Sequence, residues 1–396
     1  MAATSKSMQT ARDTELRRIV GELERLNVEA RERNLWIRTK WNLPNEAPWH
    51  LGSRDPPRQG PHNLPVEHRP ALPCLWKWPD IERYLSALID LCPLELTERQ
   101  SVLLTNPAFG MTGVKVTNTI RIAISIYKPG DVAHSHLHSP NASRTILSET
   151  GGYTIVEGER IEPRRGDLVF TPNGTWHEHG NDDDQPVIWA DTLDWPLVDF
   201  LGCAWSRTDA EHAADHGSPM TGFSTRFYGR GGIRPAFTAH PRGEGRGLTP
   251  MFHYRGADIR AALGDLRDYA GDPYEGVPIE LVNPQTGEAV FPTLSYRAQL
   301  LRTGEKTLPF RQTASQVYCA LEGSGYTEVD GERLEWSRND FFVVPGHRWR
   351  THVNTGGTDA VLYSCTDAPL ISKIGLYRAQ GRLESGKLVE LPGERN

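Results

Sequence analysis

The stretch AHSHLHSPNASR, residues 133–144, sets His134, His136 and His138 on alternate positions, and an arginine, Arg144, follows six residues after the last of them. Further along, TWHEHGN places His177 and His179 in the same i, i+2 relation. Side chains two apart on a strand point to one face, so each pair offers two imidazoles to one side of an extended chain. An antiparallel neighbour would bring one pair opposite the other. Imidazole suits iron, zinc, copper or nickel and titrates near neutral pH, so these residue types could hold a metal and move protons.

Strands must position them. From about residue 100 the chain turns to short β-branched or alternating runs, NTIRIAISIYKPG, GGYTIVEGER, GDLVFTPNG and QPVIWADTL, parted by Gly, Pro, Asn and Asp, the pattern of an antiparallel barrel or sandwich. The runs repeat: residues 151–181 return near 323–354, with Gly152-Tyr153, Asp167, Pro172 and Trp176 matched 173 residues later by Gly325-Tyr326, Asp340, Pro345 and Trp349. Such self-similarity means two copies of one β domain. Upstream, Leu16, Ile19, Val20, Leu23, Leu26 and Val28 recur at helical spacing, which predicts an amphipathic helix over 13–38. A proline-rich, extended arm follows, and then a second helix over 79–91 with Pro79 and Asp80 as start signals. Between the β copies, GRGGIRP and HPRGEGRG read as flexible linker and ADIRAALGDLRDYA as a short helix. The expected division is 1–95 helices and arm, 96–200 a metal-binding domain, 201–285 linker, 286–370 a second, metal-free domain and 371–396 tail.

Composition narrows the partners. A formal net charge of -6 with acids and bases interspersed gives no reason to expect nucleic acid. No apolar run reaches a membrane span and the N-terminus lacks the apolar centre of a signal peptide, so the expected location is cytoplasmic. Five scattered cysteines, Cys74, Cys92, Cys203, Cys319 and Cys365, suit reduced thiols better than a disulfide framework or a metal knuckle.

The histidine spacings resemble the two cupin motifs. The second is complete in Gly166, Pro172, Gly174, His177 and Asn181; the first runs Gly130, His136, His138 and then departs, with Ala142 where many cupins carry a ligating glutamate. The departure leaves three neutral imidazoles, His136, His138 and His177, to hold a divalent metal with positions open for a substrate and a small molecule such as dioxygen. His134 comes too early for the Gly-to-His spacing and reads as a bystander on the same strand face.

HSPNASR, TPNGTWHEHGN and WADTLDWPLV, with LWKWPDIERYL and ERQSVLLTNP before them, together resemble the gentisate 1,2-dioxygenase family, which also contains salicylate and 1-hydroxy-2-naphthoate dioxygenases. The resemblance implies an all-β bicupin with a helical N-terminal arm, commonly a tetramer. It implies Fe(II) on His136, His138 and His177, and cleavage of the ring bond between the carboxyl- and hydroxyl-bearing carbons with both atoms of O2 incorporated. By the same resemblance Arg144 would clamp the substrate carboxylate through its fork of donors, His179 would be the acid or base beside the ring hydroxyl, and Asp191 would orient one of these groups. Ser125 stands where the family carries a substrate-holding glutamine, and Gln100 where an arginine is frequent, which leaves open salicylate, gentisate, a 5-substituted salicylate or a naphthoate.

In the second copy Phe310, Gln312 and Arg350 take the places of His136, His138 and His177, and only His352 matches His179. Two other readings stay open on sequence: another metal-dependent cupin enzyme, such as a diketone dioxygenase or an isomerase, and a ligand-binding cupin without turnover.

Overall fold

The computed structural model describes residues 2–39, 70–93, 96–97, 99–208, 222–231 and 248–392. The proline-rich arm and the two glycine-rich linker motifs lie largely or wholly outside them. The first repeat forms two facing antiparallel sheets. One orders the strands Leu35–Ile37, Ser101–Leu104, Arg121–Tyr127, Val187–Leu193, Ala142–Ile146, Leu168–Thr171 and His253–Tyr254. The other orders Ser206–Thr208, Val132–His138, His177–Gly180, Tyr153–Val156 and Glu159–Ile161. These strands are rich in Ile, Val and Thr, whose branched side chains fit a pleated, half-buried surface; Arg121–Tyr127 and Ala142–Ile146 are buried on nearly every residue, as sheets sandwiched between layers require.

The second repeat builds the same pair. Its first sheet orders Val277–Leu281, Ser295–Leu301, Ala360–Thr366, Gln316–Glu322, Phe341–Val344 and Cys74–Trp76; its second orders Glu332–Ser337, Ser324–Val329, Arg350–Asn354, Phe310–Gln312, Ala379–Arg382 and Leu388–Leu391. The two barrels exchange edges. Cys74–Trp76, from before the first barrel, pairs with Phe341–Val344 of the second, and His253–Tyr254, from before the second barrel, pairs with Leu168–Thr171 of the first. Each exchanged strand runs into a helix capped by the turn aspartate of the barrel it joins. Asp340 accepts from Trp78 N at 2.6 Å, opening Trp78–Leu91, and Asp167 accepts from Gly256 N at 2.7 Å, opening Gly256–Asp265. A second reciprocal pair fastens the barrels: Thr293 donates to Asp194 (2.5 Å) and Thr119 to Asp367 (2.6 Å).

The segment read as linker therefore supplies sheet edges to both barrels, and Val277–Leu281 precedes the expected start of the second domain. The N-terminal helix also differs from expectation. It spans Ala2–Arg31 and stops short, because Asn34 takes a left-handed backbone (φ 56°) and Leu35–Ile37 leave to pair with Ser101–Leu104. Val28, expected on the apolar face, is exposed, while Asn27 is buried and accepts from Ile37 N at 3.0 Å. The second helix, Trp78–Leu91, forms where the periodicity places it and buries Ile81, Tyr84, Leu85 and Leu88. Among the described residues no helix is long and apolar enough to cross a membrane.

Candidate metal centre

The site sits inside the first barrel, on the sheet that carries both histidine pairs. Two glycine turns enter it: Gly130 (φ 85°) precedes Val132–His138 and Gly174 (φ 68°) precedes His177–Gly180, left-handed conformations that a side chain would strain. The turns are locked across the sheet, since Gly174 N donates to the His138 carbonyl (2.9 Å) and Gly130 N to the Asn181 carbonyl (2.7 Å). Antiparallel pairing then sets His136 directly opposite His177.

Four imidazoles gather there, all buried. The His136 and His177 rings are 4.3 Å apart between centroids, His138 and His177 4.7 Å, and His177 and His179 5.3 Å. His134 does not join them. Pairing shifts by one residue, so that His179 faces Ala133, and the bulge turns His134 out to solvent. The expected shared face for His134 is thus lost, although its carbonyl accepts from His136 Nδ1 at 2.8 Å.

By distance alone, nitrogen atoms of His136, His177 and His179 lie within 4.8 Å of one another, a buried three-histidine group consistent with a metal site. Hydrogen bonding separates the four rings further. Nδ1 of His136 faces the His134 carbonyl, Nδ1 of His138 the Pro140 carbonyl (2.8 Å) and Nδ1 of His177 the Thr175 carbonyl (2.9 Å). A carbonyl only accepts, so each Nδ1 carries the proton and the lone pair of each ring is on Nε2. Burial, then the neighbouring His136 and His138, hold His177 well below the usual imidazole range and keep it neutral. The His136 lone pair meets a cation within the chain, as Arg99 Nη2 lies 2.5 Å from Nε2.

His179 has the opposite polarity. Its Nδ1 accepts from Arg144 Nη1 and lies 3.2 Å from Thr154 Oγ1, which itself accepts from Arg144 Nη1 (3.0 Å). Burial, then the Arg144 charge, push His179 well below the usual range, so the neutral ring carries its proton on Nε2. That nitrogen is buried with no partner among the described residues. The arrangement makes His179 a hydrogen-bond donor into the barrel.

Arg144 is fixed on three sides: Nε donates to Asp191 (2.8 Å), Nη1 to Thr154 and His179, and Cζ lies 4.5 Å over the Trp189 ring. Asp191 also accepts from Trp189 Nε1 (3.0 Å) and Ser125 Oγ (3.2 Å), and Ser125 meets Ser101 at 2.8 Å. Ser125 thus stands behind Asp191. Ala142 shares the strand face of Arg144, so that position brings no carboxylate to the histidines. Gln100 is buried and donates to the Cys92 carbonyl (2.6 Å), whereas its neighbour Arg99 reaches the histidines. Arg99 escaped the sequence reading, which compared position 100; the alternation of the chain there puts position 99 on the site side.

Buried imidazoles within one small barrel, with a buried guanidinium alongside, are the arrangement of a cupin with a group consistent with a metal site. The cupin-domain family matches residues 123–195 and 299–366, one stretch in each barrel. A 5-aminosalicylate 1,2-dioxygenase of Comamonas is 34% identical over 328 residues, covering 81% of this chain and 85% of that protein. A gentisate 1,2-dioxygenase of Ralstonia is 32% identical over 324 residues, covering 81% and 88%. The crystal structure of the salicylate 1,2-dioxygenase of Pseudoaminobacter salicylatoxidans as an adduct with gentisate aligns with a TM-score of 0.72 at 29% identity, over 80% of this chain and 87% of that one. The chain belongs to the bicupin gentisate 1,2-dioxygenase family and is a ring-cleaving 1,2-dioxygenase of salicylate-type substrates.

Proposed function

We propose that the protein is an Fe(II)-dependent dioxygenase that opens salicylates bearing a small 5-substituent, with 5-aminosalicylate and gentisate as the substrates to try first. The observation that carries the residue assignment is the tautomer pattern: three rings held with Nε2 lone pairs, and a fourth, His179, held as a donor. His136, His138 and His177 would hold the iron. The donor set suits it, since neutral imidazoles are good ligands for ferrous ion, and bound iron would supply the redox chemistry with dioxygen.

The chain's own groups do the rest. Nε and Nη1 of Arg144 are engaged within the protein, so Nη2 is the nitrogen left for the substrate carboxylate; Arg99 Nη2 lies against His136 Nε2 and would have to give up that nitrogen to the iron, becoming a second cation beside the site. Such charge-assisted contacts are short and strong in a site that excludes water. His179 Nε2–H would donate to the substrate's phenolic oxygen and hold or return its proton. Asp191, braced by Trp189 and Ser125, fixes Arg144 and is a positioning residue. Ser125 spends its hydrogen on Asp191, which removes the direct clamp that a glutamine would give. The amino-substituted preference rests on the Comamonas relative and on this altered wall. We further propose a homotetramer, to be checked by light scattering.

Anaerobically reconstituted Fe(II) protein is mixed with 5-aminosalicylate, gentisate, salicylate and 1-hydroxy-2-naphthoate in an oxygen electrode. Uptake of one O2 per substrate, with a new ultraviolet band of the ring-opened product, is expected for the first two. No uptake with any of the four would overturn the substrate assignment, and equal activity with zinc would overturn the iron.

A further inference from the structure

The interior of the second barrel holds an unmet set of hydrogen-bond donors. Among the described residues Arg350 Nε, His352 Nε2, Tyr318 Oη and Gln299 Nε2 have no partner, on residues 2%, 0%, 0% and 3% exposed. They come from the two facing sheets of this barrel, Gln299 and Tyr318 from one and Arg350 and His352 from the other. Gln299 faces Leu362, two residues before Ser364, and Ser364 faces Tyr318; Arg350 and His352 alternate on Arg350–Asn354. The Tyr318 ring centroid lies 5.1 Å from the His352 ring and 5.8 Å from Arg350 Cζ.

These positions are the second-barrel counterparts of the first site. Phe310 pairs with Arg350 as His136 pairs with His177, and Ser364 faces Tyr318 as Asp191 faces Arg144. The corresponding interior has lost its ring ligands and gained donors.

The polarity of each atom is fixed. Trp336 Nε1 donates to Thr327 Oγ1 (3.0 Å), whose own hydrogen goes to His352 Nδ1 (2.8 Å). The neutral ring therefore carries its proton on Nε2, and burial followed by the Arg350 charge keeps it neutral. A guanidinium Nε, an amide nitrogen and a phenol complete a set of four donors. Among the described residues the neighbouring polar side chains are engaged with one another: Tyr377 donates to Gln312 (2.9 Å), Gln312 to Gln316 (3.2 Å) and Gln316 to Ser364 (2.9 Å). Glu275 is taken by Arg350 Nη2 (2.6 Å) and lies 3.6 Å from Arg297, while Asp272 accepts from the amides of Tyr274 (2.7 Å) and Glu275 (3.1 Å).

Each unmet buried donor costs about 1–3 kcal/mol, and a water that meets them brings two hydrogens of its own, whereas Tyr318 Oη is the one group of the four that can also accept. A carboxylate brings two oxygens, about four lone-pair sites and no hydrogen. We propose that the second barrel binds a small carboxylate through Arg350, His352, Tyr318 and Gln299, at a site separate from the histidine centre. Phe310, under Arg350 at 4.4 Å, and Phe342, stacked on Tyr318 at 4.7 Å, give it apolar walls.

The test is thermal unfolding of the full-length protein as sodium acetate replaces sodium chloride at constant ionic strength, repeated with benzoate. The parent and Arg144→Lys are expected to gain Tm with acetate, with midpoints that agree. Tyr318→Phe, which deletes one unmet hydroxyl and nothing else, is expected to raise the midpoint at least tenfold. Gln299→Met serves the same purpose should Tyr318→Phe fold poorly. An absent acetate and benzoate effect, or one that survives Tyr318→Phe and Gln299→Met but disappears in Arg144→Lys, would overturn the proposal. So would a crystal grown in acetate with water alone joining the four donors.

Discussion

Four histidines crowd one site, and distance alone groups His136 and His177 with His179 rather than with His138. What separates them is the partner of each Nδ1: a carbonyl leaves a lone pair on Nε2, whereas the Arg144 guanidinium forces a proton there. The two assignments predict different losses. On the proposed iron assignment, His138→Ala is expected to drop iron content of the reconstituted protein by at least tenfold, while His179→Ala keeps it and loses turnover by about 10²–10⁴-fold; metal analysis beside initial rates reads both, and iron retained in His138→Ala together with iron lost in His179→Ala would reverse the assignment. Arg144→Lys keeps the charge but cannot span Asp191, Thr154 and His179 together. Its kcat/KM is expected to fall about 10–150-fold, the equivalent of one charge-assisted hydrogen bond, chiefly through KM. An unchanged KM for the salicylates would remove Arg144 from the carboxylate.

At the level of strands and helices, small irregularities do much of the positioning. One extra residue in Val132–His138 turns His134 outward while leaving His136 and His138 inside. Asp340, wholly buried, accepts from Lys77 Nζ (2.9 Å), Trp78 N (2.6 Å) and Ser337 N (2.9 Å), so it fastens the exchanged strand and caps the helix that follows. Asp340→Ala is expected to cost about 3 kcal/mol in urea unfolding; a change under about 0.5 kcal/mol would show that the exchanged edge holds without it. His352 supplies a pH test. Its folded-state pKa is depressed well below 6.5, so below pH 6.5 the unfolded chain binds a proton that the folded chain refuses. Its contribution is complete above that value and is lost as pH falls toward the folded pKa. Below pH 6.5 the parent should lose stability more steeply with falling pH than His352→Gln, and parallel acid limbs would contradict the buried neutral ring.

Over the whole molecule, the two barrels share edges, capping aspartates and the Thr293–Asp194 and Thr119–Asp367 contacts. Neither is complete alone, so calorimetry is expected to give one cooperative transition; two separable ones would mean that the exchange contributes little. The repeat visible from 151–181 to 323–354 is longer in space than in sequence. Strand Cys74–Trp76 and helix Trp78–Leu91 correspond to His253–Tyr254 and Gly256–Asp265, and the shared Asp-Ile pairs Asp80-Ile81 and Asp258-Ile259 are the faint trace of it.

The amino-acid sequence by itself determined the β repeats, the glycine turns and the histidine pairs, because strand parity and left-handed turns are local properties carried by a few neighbouring residues. It also carried the family resemblance, through motifs of fixed spacing. It did not determine that His134 faces water, that Val28 lies outside, that Arg99 rather than Gln100 reaches the site, or that strands before each barrel complete the other. Those are set by pairing between segments up to about 270 residues apart, Cys74 to Val343 for example, and by which carbonyl or guanidinium meets each imidazole. Such partners exist only once the barrels have closed, and they decide on which nitrogen each imidazole carries its proton.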